Sequence, residues 1–453
     1  MYALGIDIGT TSISIVLLDE QNGRLIARET VNHSAFVDDG CAAGRVQDAE
    51  KIWNIVAECC EKYKKEYGTF SCIGLTGQMH GMLYVDKDGR AVSPLYTWQD
   101  GRGNLDMGSG KSYAAYLRGN ALSAAAGYGL TTHFYLLKNE QVPANAAKMT
   151  TISDYIAMKL CGNKAPVIGA DMAASWGCFD LEKRVFKTEE MEKLGFDLSL
   201  LPKLAEGHEI IGHTTDGTPV VVSLGDNQAS VIGSVRDIEN TVLINIGTGS
   251  QVSVGTGKYI ACEGSVELRP CTKEDNILVG SGLCGGRAYA MLEQFYREAA
   301  GDDEARYDVM LQQAENFLDQ YGSDAAWKVR TTFSGTRDNP TEKGSISGIS
   351  VVNFHPGALT LGLIKGILEE LHDFYKQMCA LSGKTAKNLV GSGNGLRRNR
   401  LMQRMAEEIF GMKLSIPAHE EEAAYGAALC AMAASGSVSS LADAQRMIAY
   451  LNR

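Results

Sequence analysis

The chain reads as an α/β protein built from two duplicated halves, and three observations point there. Tyr2–Ile8 is an apolar run with the look of a buried strand, and Ser12–Leu18 alternates before turning apolar, so the two form a hairpin around Gly9-Thr10-Thr11. About half a chain later Thr241–Val254, TVLINIGTGSQVSV, repeats the plan around Gly247-Thr248-Gly249. Between and after the two copies, strand-like runs alternate with helical periodicity. A glycine turn flanked by hydroxyls exposes backbone N–H groups that can cradle phosphate oxygens. Asp7, just before the first turn, is placed where a carboxylate could hold Mg²⁺. One copy alone is equally an ordinary hairpin with a convenient glycine. Two copies predict a duplication, one phosphate turn per half, with a nucleotide in the cleft between them.

The 453 residues exceed what one core accommodates, so two or more domains are expected. Apolar residues make up 45% and charged residues 21%, the balance of a soluble globular protein. The net charge of −11 disfavours nucleic-acid binding but not a small phosphorylated ligand in an amide-lined pocket. The 11 cysteines show no C-x-x-C spacing, which suggests reduced thiols and a cytoplasmic protein. No apolar run approaches the ~20 residues of a membrane span. The N-terminus enters a strand directly, without the basic segment of a signal peptide.

Taken in order, Gln21-Asn22-Gly23 turns the chain into a third strand, Leu25–Asn32. Asp48 is the expected N-cap of an amphipathic helix carrying Ile52, Trp53, Val56, Cys60 and Tyr63 and ending near Gly68. Cys72–Thr76 is a short strand that delivers Gln78, Met79 and His80 between Gly77 and Gly81, where polar groups can meet a ligand. Thr97–Arg102 sets Trp98 beside Asp100 and Arg102, a flat face plus directional hydrogen bonds that suit a sugar; the competing reading is a core Trp beside a surface ion pair. Phe134–Leu137 and Ile152–Leu160 are helical. Asp171–Gly177 reads as an irregular loop, Gly207–Asp216 as turn-rich, and Val220–Leu224 as a strand stopping at Gly225-Asp226-Asn227-Gln228. An aspartate past a buried strand suits proton chemistry or, equally, a helix cap. A boundary is expected near Val235–Asn240, giving domains 1–235 and 236–453.

In the second half, Gly280–Gly285 spells G-x-G-x-x-G, but no βαβ start precedes it, so a nucleotide-facing glycine turn is preferred over a dinucleotide fingerprint. Gly383-Lys384-Thr385 lacks the first glycine of a Walker loop. Leu361–Met378 is a long amphipathic helix. Leu389-Val390 runs into Gly391-Ser392-Gly393-Asn394, followed by a helix over Leu396–Phe410, and Glu421–Ala434 is a small-residue helix suited to close packing.

Asp7–Ser12, Gly225–Gln228, Asn245–Gly249, Gly391–Gly393 and Ala423–Ala428 occur in an order that resembles the FGGY carbohydrate kinases over nearly the whole chain. The resemblance implies two actin-like, ribonuclease-H-like domains with the active site in the cleft between them. It implies ATP and Mg²⁺ as cofactors and a small ketose as substrate, with neither nucleic acid nor membrane as partner; a homodimer fits the class. By the same resemblance Asp226 is the general base and, with Asp7, faces the metal. Gln78, Met79, His80, Trp98, Asp226 and Asn227 line the sugar. Gly9, Thr10, Thr11, Gly247, Thr248 and Gly249 surround the phosphates, and Gly282, Gly285, Gly391, Ser392 and Asn394 lie in the nucleotide segments. Thr97–Arg102 and Ala173–Gly177 look most like heptulose kinases, implying sedoheptulose as substrate; xylulose or another pentulose is the alternative, and a non-catalytic sugar sensor a remote one. Many members carry Lys where this chain has Ser14.

Overall fold

Antiparallel pairing of Tyr2–Ile8 (β1) with Ser12–Asp19 (β2), and of β2 with Leu25–Asn32 (β3), makes the meander expected from the sequence in a computed structural model of the chain. The structure describes residues 1–451 except 109, 263, 302, 337, 338 and 340. The chain packs into two units. The first comprises 1–236, 269–275 and 421–448; the second comprises 237–268, 276–420 and 449 onward.

In the first unit the helix Ala49–Tyr67 (α1) starts where the Asp48 carboxylate accepts from the N–H groups of Glu50 and Lys51. It lays Ile52, Val56, Cys60 and Tyr63 on the core. The chain then returns as Cys72–Gly77 (β4), parallel to β1. The sheet is completed by Ile210–His213 (β5) and Pro219–Val221 (β6), in the order β5-β6-β4-β1-β2-β3, while Leu224–Gly225 (β7) pairs with β4 off this path. Two expectations are corrected here. Residues 207–216 contain the strand β5, and the single strand read over 220–224 is two, interrupted at 222–223. A third concerns 171–177: Ala170–Ser175 forms a short helix (α2), stabilised by tertiary contacts rather than by a side-chain cap. Asp226–Ser234 (α3) follows β7.

The second unit has a sheet of Thr241–Ile246 (β8), Ser250–Thr256 (β9), Val266–Pro270 (β10), Asn276–Gly282 (β11), Asn388–Ser392 (β12) and Leu414–Ser415 (β13), in the order β10-β11-β9-β8-β12-β13. Because β11 runs antiparallel to β9, the G-x-G-x-x-G leading to Gly286–Ala300 (α4) is not the start of a βαβ unit. Pro356–Ser382 (α5) is the long helix, and Gly383, at φ 70°, is its left-handed cap, which accounts for the Walker-like Gly-Lys-Thr. The helix expected over 396–410 is two, Asn394–Arg398 (α6) and Arg400–Phe410 (α7): Asn399 breaks the run and caps α7 through Met402 N–H at 2.9 Å.

Glu422–Ala434 (α8), the small-residue helix, packs in the first unit against β1, β4 and α3. Its approach is close enough to demand glycine on the facing elements. A Cβ on Gly5 would lie 2.0 Å from the Ala424 oxygen, one on Gly74 1.9 Å from that of Ala427, and one on Gly233 2.1 Å from that of Glu422.

Candidate active site

The ends of β1, β4 and β7 lie side by side in the first unit, since Ile8 pairs with Gly77 and Gly77 with Gly225. That register gathers the residues picked from the sequence. Gly9 N–H closes the first turn on the Ser12 oxygen at 2.9 Å, and the exposed Thr11 and half-buried Thr10 stand on it. Gln78 N–H donates to the Ile8 oxygen (2.9 Å), and its side-chain amide donates to Gln47 Oε1 (3.0 Å); Gln47 in turn donates to the Thr10 oxygen (2.6 Å). Trp98 stands 47% exposed, its indole N–H on the Thr10 hydroxyl at 2.9 Å. The turn and the sugar-loop candidates are thus one hydrogen-bonded assembly.

Met79 lies over Gly225: a Cβ there would meet the Met79 sulfur at 2.7 Å and Gln228 Oε1 at 2.6 Å. His80 adopts φ 71°, unusual for a residue with a side chain, and is locked from two sides. Its N–H donates to Ser175 Oγ (3.0 Å), its Nδ1 pairs with the Ser175 carbonyl (2.7 Å), and its ring stacks on Tyr128 at 4.7 Å. Since a carbonyl can only accept, Nδ1 carries the proton. Asp100 and Arg102 are not a surface pair. Both are buried, with the guanidinium on Asp100 (2.5 Å) and on Asp39, and with Arg45 N–H donating to Asp100 (3.1 Å); they fold the loop that presents Trp98.

Asp226 opens α3, with Oδ1 accepting from Asn227 N–H at 2.7 Å. Burial raises its pKa, opposed by that N–H and by the Arg269 guanidinium, which also donates to Asn227 Oδ1 (3.2 Å). Asp7 is pushed up to about 8 by burial, then by the charges of Asp226 and Glu421. Its Oδ1 is shielded from solvent and has no hydrogen-bond partner. Two buried amide oxygens, Gln78 Oε1 and Gln228 Oε1, likewise lack one. Each such atom costs about 1–3 kcal/mol. Asp7 and Gln228 neighbour Asp226, and Gln78 follows the strand end that pairs with Gly225. Among the described residues no group of three or more His, Cys, Asp or Glu forms a ready metal cage.

The second unit builds the other turn. Gly247 N–H reaches the Gly249 oxygen (3.0 Å), and Thr248 and Gly249 are exposed. The register differs from the first copy: Ile246 faces Ser250, leaving three residues in the loop, whereas Ile8 faces Ile13, leaving four. Asn245 stands where the first copy has Asp7, and its amide donates to Ser392 Oγ (2.8 Å). Gly285 presses on this turn, with a would-be Cβ 2.5 Å from the Gly249 oxygen, and the N–H groups of Gly286 and Arg287 donate to the carbonyls of Gly247 and Thr248. Gly282, Gly391 and Ser392 are buried. Gly391 packs beneath Leu396 and Leu414 and Ser392 braces Asn245, so these two shape the turn from behind, while the exposed Asn394 heads α6. A cavity of about 940 Å³ in this unit is lined by Ser281, Leu283, Thr331, Thr332 and Glu370, among others, and by none of the glycines picked from the sequence. It nevertheless adjoins them, since a Cβ on Gly282 would sit 2.7 Å from Glu370 Oε2. Gln47, Arg269 and Glu370 were not singled out in the sequence, since none sits in a motif that announces it; Ser175 and Gln228 lie in the motifs 173–177 and 225–228 but carried no assigned role.

Amide-lined turns for phosphates and a carboxylate set among unsatisfied acceptors are the equipment of a small-molecule kinase. Residues 2–233 match the N-terminal domain of the FGGY family of carbohydrate kinases and residues 242–435 the C-terminal domain. The chain belongs to that family and is an ATP-dependent sugar kinase. It is 30% identical to mouse sedoheptulokinase over 94% of its length and 96% of that protein, and equally to the human one. It is 22% identical to the xylulose kinase of Staphylococcus xylosus over 95% of the chain and 90% of the relative. A xylulose kinase structure from Brucella ovis superposes with TM-score 0.86 at 20% identity, covering 100% of this chain and 94% of that one. The gluconate kinase of Lactobacillus acidophilus gives 0.84 at 20%, covering 100% and 92%. The two-domain α/β architecture expected from the sequence is the fold these share. No helix among the described residues is long and apolar enough to cross a membrane.

Proposed function

We propose that the enzyme phosphorylates the terminal hydroxyl of a ketose, sedoheptulose, giving the 7-phosphate. The observation that carries the choice of sugar is the 30% identity to two sedoheptulokinases along almost the whole chain, against 22% to the xylulose kinase. Phosphoryl transfer is mainly positioning and charge neutralisation. In the first unit Trp98 and Met79 offer faces to the sugar, while the amide oxygens of Gln78 and Gln228 accept from its hydroxyls. Asp226 accepts the proton of the attacking hydroxyl; a burial-raised carboxylate is the stronger base for it. With the Gly9 and Gly247 N–H groups closing their own turns, each turn by itself offers phosphate oxygens its remaining donors: Thr10 and Thr11 in the first unit, Thr248 and Gly249 in the second. Asp7 and Asp226 fit Mg²⁺, which would neutralise phosphate charge when bound, and the partnerless Oδ1 of Asp7 supports that reading. A pentulose such as xylulose is the second reading, favoured by the relative in Staphylococcus xylosus.

The test is kcat/KM with ATP across a panel of heptuloses and pentuloses. Sedoheptulose should lead, and a tenfold preference for a pentulose would reverse the assignment. Asp226→Asn should lower kcat by at least ~10²-fold, in line with general-base contributions. Near-normal turnover of that variant would remove Asp226 from the role.

A further inference from the structure

The helix α2 takes no part in the chemistry above, yet its side chains hold both loops that do. At its end Ser175 fixes His80 through the two hydrogen bonds already described, and Trp176 Nε1 donates to the Gly81 oxygen at 2.9 Å. At its start Asp171, 4% exposed, accepts the N–H of Gly225 on Oδ2 at 2.7 Å. Gly225 immediately precedes Asp226. The other oxygen occupies space that only a glycine at 169 leaves open, since a Cβ there would stand 2.6 Å from Oδ1. The chain leaves the ladder at 222–223, between β6 and β7, and rejoins it for only two residues, Leu224 and Gly225, before Asp226. There a second buried carboxylate, Asp154, accepts the Ser223 hydroxyl at 2.6 Å and the Thr151 hydroxyl at 2.7 Å. The segment 223–225 is thus held by side chains in addition to the short pairing of Leu224 and Gly225 with β4.

We infer that Asp171 is a positioning residue for Asp226: by accepting the Gly225 N–H it sets the first turn of α3, and hence the carboxylate that takes the sugar's proton. This rests on the reading of Asp226 as general base. Two atoms make the connection, the Asp171 oxygen and the Gly225 nitrogen, so an acceptor is needed at 171 and a charge is not. Asp171→Asn keeps an oxygen acceptor of the same reach. Asp171→Ala removes it and leaves a buried N–H alone, free to rotate the turn. A misplacement of about 1 Å at a reacting group can cost ~10²-fold in rate.

The experiment measures kcat and sugar KM for Asp171→Ala, Asp171→Asn and Asp171→Ser beside Asp226→Asn, with the ADP-induced shift in Tm as a check on the fold. Asp171→Ala should lose roughly 10- to 100-fold in kcat with sugar KM and the ADP shift little changed, while Asp171→Asn stays close to the parent. Full kcat in the alanine variant, equal loss in the alanine and asparagine variants, or a change confined to KM would each overturn the inference. If the alanine variant does not fold, the comparison of asparagine with serine decides. Serine is too short to reach Gly225 and should be slow, and equal rates for the two would overturn the inference. Asp226→Asn separates the two claims: if it turns over normally the general-base reading fails, whatever the Asp171 variants do.

Discussion

Replacing Gly426 by alanine should slow the reaction from a position remote from any ligand. Gly426 sits in α8 facing α3, and a Cβ there would lie 2.0 Å from the Ala229 oxygen and 2.8 Å from Gly233 N. A carbon–oxygen contact settles at about 3.3 Å, so the helices must part by about 1.3 Å. Overpacking of this kind typically costs about 1–3 kcal/mol. The displacement also reaches the chemistry, because α3 is short: at about 1.5 Å rise per residue, Asp226 lies roughly 10 Å along the axis from Gly233. Half the shift transmitted there is about 0.7 Å, enough for a ~10-fold or larger loss in kcat. Urea unfolding and steady-state kinetics with ATP and sedoheptulose read the two effects. Gly233→Ala, with a Cβ 2.1 Å from the Glu422 oxygen, opens the same gap, so the double variant should cost less than the sum of the singles. A Gly426→Ala enzyme with unchanged stability and kcat would refute the argument. Loss of stability with unchanged kcat would refute the transmission to Asp226.

Three further outcomes follow from individual contacts. Trp98→Phe keeps the exposed ring but loses the bond to Thr10, worth about 0.5–1.5 kcal/mol, so sugar KM should rise about 2- to 10-fold with unfolding midpoints unchanged. In the second unit Gly393, at φ 83° with a would-be Cβ 2.6 Å from the Ile246 oxygen, should weaken ATP binding when changed to alanine, as read by calorimetry; Gly411→Ala, also at positive φ but in open space, should leave ATP binding alone. His133, buried against the Tyr84 hydroxyl at 2.5 Å, has its pKa lowered by desolvation to about 4. The unfolded chain therefore takes up a proton below about 6.5 that the folded one refuses. This stabilising term is complete above that pH and shrinks as pH falls toward 4. The loss reaches about 3 kcal/mol, and the difference between parent and His133→Gln unfolding free energies at pH 7.5 and 4.5 measures it.

Much of the fold was legible because its signals are local. The hairpin alternation, the Asp48 cap and the α1 periodicity each act within a few residues, and the duplicated G-T-x-S turns marked the two halves as copies of one plan. What was missed depends on distance. α2 carries Ala-Asp-Met-Ala-Ala-Ser, mostly good helix formers but only six residues behind an uncapping glycine, too short to be even marginally helical alone; its reasons lie at Gly225 and His80. A surface bridge between Asp100 and Arg102 was a competing reading because spacing cannot report burial, and both are almost fully inside. Gln47 and Arg269 join the site by folding across 37 and 42 residues, to Thr10 and Asn227 respectively. The two turns match in letters yet differ by one residue in register, which only the strand pairing reveals.

The helix α8 belongs to the first unit but follows nearly all of the second in the chain. While the ribosome is still translating, the glycine face of β1 and β4 has nothing to cover it, and α3 has no neighbour to lean on. The portion carrying Asp226 therefore cannot mature from the N-terminus forward. A nonsense codon between Asp275 and Glu421 would leave Asp226 synthesised without the helix that packs on α3, β1 and β4.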